Sequence, residues 1–324
     1  SKHCANSFLS LDGFKDIVRM AEILVGGEEE FLKKSAILDT GASTAPPLKY
    51  PEHTTACILE NGKYKMPATI CSAALAGASG PVTISGTLVQ MNAENLAALI
   101  LYQIVGPGTP IIYGTIASNM DLKTGIPTYG SPECGLINAA FVQIAHYYNM
   151  PFYGTAGIID SKVPDEQAAF ESSENVLLTA LAGGDFIHDA VYSILETGLT
   201  ACYEQFAIGY EIVNRIKRIV KGVGVTDETI ALDIIRDVGV EGSYLKQRSA
   251  LRHTRKYLLD ELWQPAISDR LPRSIWENRG SKTIMQMARE KVKEILETHK
   301  PEPLDKDVEA RLEAFVREVA KLSE

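Results

Sequence analysis

The sequence predicts an α/β protein: a (β/α)8 TIM-type barrel that lacks its first strands and carries extra C-terminal helices. Three observations point there. Strand-like and helix-like segments alternate in about six units up to residue 195, the order that yields parallel strands covered by helices. From Glu196 onward the pattern is helical only, which separates a barrel portion (1–195) from a helical part (196–324) packing on it. The stretch from Tyr147 to Lys162 reads as a helix end closed by Asn149, a short strand over 151–155, and a polar loop through Gly157. Asparagine tolerates the left-handed conformation of a helix C-terminus. In a barrel, residues just beyond a strand's C-terminal end face the active site.

In chain order, the apolar spacing of 11–25 predicts a helix, followed by the pair Gly26-Gly27 and an acidic helix start at Glu28. Strands are expected over 36–40 and over 66–73, the latter rich in small and β-branched residues. The loop Ala76 to Pro81 is read as a tight turn. Helical spacing of Leu96, Leu99, Ile100 and Ile104 predicts a helix over 92–105. Further strands are expected at 110–115, 128–130, 151–155 and 185–189, with helices over 136–148 and 165–182. The helical part should comprise 202–221, 227–238, 280–298 and an amphipathic 305–323 that packs on the barrel exterior or on a neighbouring subunit. Eight strands close a barrel, so two are unaccounted for.

Composition narrows the function. The chain of 324 residues is 45% hydrophobic and 23% charged, with a net charge of −9. That balance argues against nucleic-acid binding, which favours a basic stripe. No apolar run reaches the length of a membrane span, and no secretory core segment follows Ser1-Lys2-His3-Cys4. Five scattered cysteines, an odd number, do not suggest a disulfide framework. A cytoplasmic enzyme, assembled as a homo-oligomer, is the expectation.

Motif searches return no dinucleotide fingerprint, P-loop, H-E-x-x-H or C-x-x-C, and no metal site is expected. What remains is a layer of strand-end residues. Tyr113, Tyr129 and Tyr153 lie toward strand C-termini, and Tyr192 and Tyr203 follow the last strand. Tyrosine faces can enclose a quaternary ammonium, at about 0.5–2 kcal/mol per ring; rings that merely pack loops are the simpler alternative. Glu133 and Asp160 stand directly beyond strands beside proline or glycine, and Lys162 and His188 are the strand-end bases. His188 can equally be a core or a catalytic histidine.

Several segments together resemble the trimethylamine methyltransferase (MttB-type) superfamily. They are Gly108 to Gly114, Met120 to Gly125, Tyr147 to Asp165, Glu196 to Thr200 and Tyr203 to Phe206. His253, Trp263-Gln264-Pro265, Arg270 and Trp276-Glu277 agree as well. The resemblance covers nearly the whole chain. It implies a (β/α)8 barrel that passes a methyl group from a methylated amine to the cobalt of a separate corrinoid (cobalamin) protein. The cofactor is thus carried by a partner, with none bound tightly here. It also implies that the chain begins inside the family's barrel, which would account for the two strands. Archaeal trimethylamine enzymes carry pyrrolysine in the loop corresponding to Gly157–Asp160, and Ile158 is the matching position. A standard residue there favours a quaternary amine such as glycine betaine over trimethylamine. On this reading Tyr113, Tyr153 and Tyr203 line the cation site. Glu133 or Asp160 adds negative potential, and His188 or Lys162 holds a betaine carboxylate. The corrinoid-binding D-x-H-x-x-G pattern is absent around Asp185-Phe186-Ile187-His188, so the corrinoid protein is expected to dock at the barrel mouth. A trimethylamine enzyme proper, or a non-catalytic assembly subunit, is the alternative.

Overall fold

The computed structural model describes residues 4–6, 10–34 and 37–322. The chain opens with β1 (Cys4–Asn6), then α1 (Leu11–Val25) and α2 (Glu28–Lys34). The Ser10 hydroxyl caps α1 by accepting from the Gly13 N–H, and Gly26 closes it in the left-handed region at φ 99°. Next come β2 (Ile37–Ser43), α3 (Glu52–Tyr64), β3 (Ala68–Ser72) and the two-residue β4 (Leu75–Ala76). Helix α4 (Ile84–Val105) leads to β5 (Ile111–Thr115), β6 (Ser118–Asp121) and β7 (Ile126–Thr128). Helix α5 (Pro132–Tyr147), β8 (Phe152–Thr155), α6 (Glu166–Leu181) and β9 (Phe186–His188) complete the alternating part.

Six strands form the main sheet in the order β1-β2-β3-β5-β8-β9, all parallel. Spatial order follows chain order, and the intervening helices form one layer. In it α1 packs on α3, α3 on α4, α4 on α5, and α5 on α6. This is a singly wound parallel α/β sheet, the outcome of repeated right-handed crossovers. It is open: among the described residues β1 and β9 are its edges, and no closed barrel forms.

The strand expected at 128–130 is a correction. Residues 126–128 form β7, antiparallel to β6, in a separate small sheet with β4. The chain reverses through Gly125 (φ 70°), and the Asp121 carboxylate accepts from Lys123 N–H and the Thr124 hydroxyl. That turn makes a hairpin where a crossover was expected. The sixth place in the main sheet belongs to β1, too short to show a pattern. The expected strand at 36–40 falls in β2 apart from Ala36, which lies outside the described residues. Helix α4 begins eight residues earlier than predicted, since Ser85, Gly86 and Thr87 are weak helix formers that packing overrides.

The main core lies between the sheet and α3–α5, with Ile58, Ile70, Met91, Tyr102, Tyr113, Ile137, Phe141 and Phe152 fully buried. After β9 come α7 (Tyr203–Lys221), α8 (Asp227–Ile230), α9 (Leu232–Val238), α10 (Arg248–Glu261), α11 (Arg273–Asn278), α12 (Ile284–Thr298) and α13 (Lys306–Leu322). The single helix expected over 227–238 is broken at Ala231, which is left-handed at φ 56°. Helix α7 packs on α6 and α12, and α13 packs on α1.

Three buried glutamates tie loops to this helical layer. Glu94 of α4 accepts from the Leu48 N–H and the Thr44 and Ser72 hydroxyls. Glu171 of α6 accepts from the Asp160 and Ser161 N–H groups. Glu211 of α7 accepts from the Ala266 and Ser268 N–H groups. A buried carboxylate is tolerated only when hydrogen-bonded, so each loop is fixed by the helix beneath it. No helix among the described residues is long and apolar enough to cross a membrane. Cys134 and Cys202 are free thiols.

Candidate active site

Successive strand side chains point to opposite faces, and the register sorts the sequence candidates between them. Tyr113 pairs with Phe152, and Gly114 with Tyr153. The Tyr113 ring stacks on Phe141 of α5 at 5.2 Å, and its hydroxyl donates to the Asn92 side chain of α4. Tyr113 therefore sits on the helix-covered face. Tyr153 occupies the inner face, where its ring meets Phe186 at 5.3 Å and His188 at 5.4 Å.

Two layers can be distinguished on that inner face. Tyr153 and Phe186 are paired across the β8–β9 ladder. Tyr153 is 3% exposed and Phe186 37%, so Tyr153 is a filling residue beside Phe186 and below His188. Thr155 pairs with His188 one layer higher, at the strand C-termini. Asp189 follows at once, and its Oδ2 accepts from the Thr155 hydroxyl at 3.0 Å. The same oxygen lies 2.6 Å from His188 Nδ1. The ring N–H does not aim at it, so the contact is close without being a directed hydrogen bond.

Two loops close over this layer. Ile159 N–H donates to Ile194 O at 2.9 Å, Thr197 N–H to Ile159 O at 2.9 Å, and Glu196 N–H to Ser161 O at 3.0 Å. The loop after β8 thereby zips to the loop after β9. Gly157 adopts φ +124°, and a Cβ there would meet Asp189 O at 2.6 Å; only glycine permits this approach. Asp189, Ser193, Glu196 and Thr197 all hold positive φ, from 45° to 65°. Such conformations cost about 1–3 kcal/mol each and gather at functional sites. Ile158 is half-buried between these loops, opposite Gly198.

Asp160 organises the rim. Its Oδ1 accepts from Tyr129 N–H at 3.0 Å and the Thr197 hydroxyl at 3.3 Å, while its own N–H donates to Glu171 Oε2 at 2.7 Å. Burial pushes the Asp160 carboxyl above its usual range, outweighing the pull of the Gly130, Tyr129 and Thr197 donors, and the Glu171 charge adds to the push. The Tyr129 hydroxyl donates to Ile116 O at 3.2 Å, and burial pushes it up to about 12. Asp160, Glu171, Gly130 and the β6–β7 hairpin line an open cavity of about 560 Å³.

The structure thus places Ile158 and Asp160 in the loop after β8 and His188 at the end of β9, with the His188 ring against Tyr153. It does not bring in the other sequence candidates. Tyr113 is on the wrong face. Tyr203 is 66% exposed at the start of α7. Glu133 is exposed in the first turn of α5. Lys162 is exposed, and its Nζ donates to Asp160 O at 2.7 Å. Sequence reading missed Thr155, Phe186, Asp189, Thr197 and Glu171. Asp189 carried a signal, an acid directly after a strand-end histidine; Glu171 on a helix face carried none.

The chain is an α/β protein whose main sheet is parallel and singly wound, with a polar loop cluster at its strand C-termini. Sequence comparison names the family. The family model "Trimethylamine methyltransferase (MTTB)" matches residues 1–321, and the chain belongs to that family. It is 36% identical over 321 residues to a trimethylamine methyltransferase of Desulfitobacterium hafniense, covering 98% of this chain and 62% of that one. It is 35% identical over 312 residues to a Methanosarcina barkeri trimethylamine methyltransferase, with 96% and 61% covered. It is 34% identical over 308 residues to a glycine betaine methyltransferase of D. hafniense, with 95% and 63% covered. The chain thus spans about three-fifths of the length of these relatives.

Proposed function

We propose that this chain is the barrel portion of an enzyme that moves a methyl group from a methylated amine to the cobalt of a separate corrinoid protein. The preferred donor is a quaternary amine of the glycine betaine type. Six strands in singly wound order support reading the sheet as a contiguous part of a (β/α)8 barrel, followed by a helical part from residue 196. Relatives named for trimethylamine and for glycine betaine are equally similar, at 34–36% identity, so identity does not choose the donor.

Ile158 carries the choice. It stands in the loop where the resemblance puts pyrrolysine, and it is an ordinary apolar side chain. A tertiary amine must be activated before it can give up a methyl group, because displacement would expel an amide-like anion. A quaternary ammonium already leaves as a neutral amine. It needs placement, exclusion of water and a face for the cation, and no strong acid. The strand-end layer suits those needs. The apolar Ile158 and loops locked by backbone hydrogen bonds stand there, above the half-exposed Phe186 ring and Tyr153 in the layer below. Cobalt on the partner would supply the methyl acceptor. This chain's residues would hold the amine and keep water out.

The test is to follow the corrinoid spectrum after mixing the protein with cob(I)alamin or a corrinoid protein, adding glycine betaine or trimethylamine separately. Methylcobalt from the betaine alone is expected. Methylcobalt from trimethylamine alone would overturn the donor preference.

A further inference from the structure

We infer that His188, held by Asp189 and Thr155, forms an anion subsite for the carboxylate of a zwitterionic methyl donor, an inference that rests on the reading above. The subsite separates betaines from methylated amines that have no carboxylate. Thr155 and His188 are paired in register at the strand C-termini, so both project from the same face of the sheet. The Asp189 side chain is 5% exposed and that of His188 43%. Nδ1 is buried and faces Asp189 Oδ2 at 2.6 Å. The open edge of the ring is therefore the one carrying Nε2. With Nδ1 turned inward beside Asp189, Nε2 is the ring nitrogen turned outward, and its N–H is a donor suited to a carboxylate.

The acid is fixed from several sides. Asp189 holds a left-handed backbone at φ 65°, and the Gly157 backbone presses on its carbonyl. The Thr155 hydroxyl fixes its carboxylate from the neighbouring strand. Ring orientation is set from the other side by Tyr153, 5.4 Å away. Lys162, the other strand-end base, is turned onto the Asp160 carbonyl. The arrangement presents the outward ring nitrogen at the place where a zwitterion's negative end would be read. His188 is thus a specificity residue, and Asp189 is a positioning residue acting through it.

The experiment is isothermal titration of the protein with glycine betaine and, separately, with tetramethylammonium, which has the cation and no carboxylate. His188→Ala should weaken betaine binding tenfold or more and change tetramethylammonium binding less than twofold. Asp189→Asn should weaken betaine several-fold with the same selectivity, whereas a merely structural loss would weaken both ligands. His188→Lys supplies an ammonium donor and should recover most of the betaine affinity. Equal losses for both ligands, or no loss of betaine in His188→Ala, would overturn the subsite. A wild-type protein that binds tetramethylammonium and not betaine would overturn it too, while leaving the quaternary-amine reading in place. A wild-type protein that binds neither would overturn both.

Discussion

Gly114 and Tyr153 face each other across the β5–β8 ladder, and a Cβ on residue 114 would lie 2.4 Å from the Tyr153 carbonyl oxygen and 2.9 Å from its Cβ. The missing side chain on β5 is the space the Tyr153 backbone and ring base occupy. Gly114→Ala should therefore force the two strands apart or push the ring toward Phe186 and His188. Overpacking of this kind costs about 1–3 kcal/mol. The expected result is a fall of several degrees in the thermal midpoint, measured by circular dichroism. An unchanged midpoint would show that the ladder accommodates the methyl group without strain.

Tyr113 and Tyr203 supply the matching negative tests. Tyr113→Phe removes the hydroxyl that donates to Asn92 inside the α4–α5 core. Losing such a bond costs about 0.5–1.5 kcal/mol, so the midpoint should drop. Affinity for a methylated amine should not change, because Tyr113 lies on the opposite face from His188. Tyr203→Ala, at a position 66% exposed, should alter neither quantity. A loss of amine binding in either variant, read by titration, would return a tyrosine cage to consideration.

These residues also show where sequence reading works and where it stops. Alternation of helix and strand was legible because short runs of small, β-branched and aromatic residues in β3, β5 and β8 stand between segments of helical spacing. The two ends of β8 could be marked from Asn149 before it and Gly157 after it, whose backbone conformations are special. Face assignment was not legible. In a strand buried on both sides, Tyr113 and Tyr153 look alike, and only the pairing register separates them. The hairpin of β6 and β7 was hidden because strands of three and four residues carry too short a period to read. Glu171, Thr197 and Asp189 act through contacts made by folding, from residues 11 to 37 positions apart, and no local pattern announces them.

Glu171 is the anchor of the loop that carries Ile158. Its Oε2 accepts from the Asp160 and Ser161 N–H groups at 2.7 and 3.3 Å, and its Oε1 from Gln167. Glu171→Ala leaves two backbone donors without their partner, at about 1–3 kcal/mol. Loop 156–161 should open before the sheet does. Hydrogen exchange should therefore speed up at Asp160 and Ser161 while Ile70 and Tyr113 in the sheet stay protected. Uniform acceleration across the sheet would mean that Glu171 stabilises the whole fold and not the loop.

Asp160 makes a prediction in pH. Burial raises its carboxyl above the unfolded value near 3.8, so the folded state holds the proton more tightly than the unfolded state. The associated stabilisation is complete below the unfolded value and is lost as pH rises through the raised folded value. Asp160→Asn keeps an oxygen for the Tyr129 and Thr197 donors and cannot ionise. The thermal midpoint of the variant relative to wild type should therefore climb as pH increases from below 4 through the raised range, then level off. Melting curves of both proteins across that range decide the matter. A relative midpoint that falls with pH would show that the Gly130, Tyr129 and Thr197 donors outweigh burial, making the ionised Asp160 a net support of the rim.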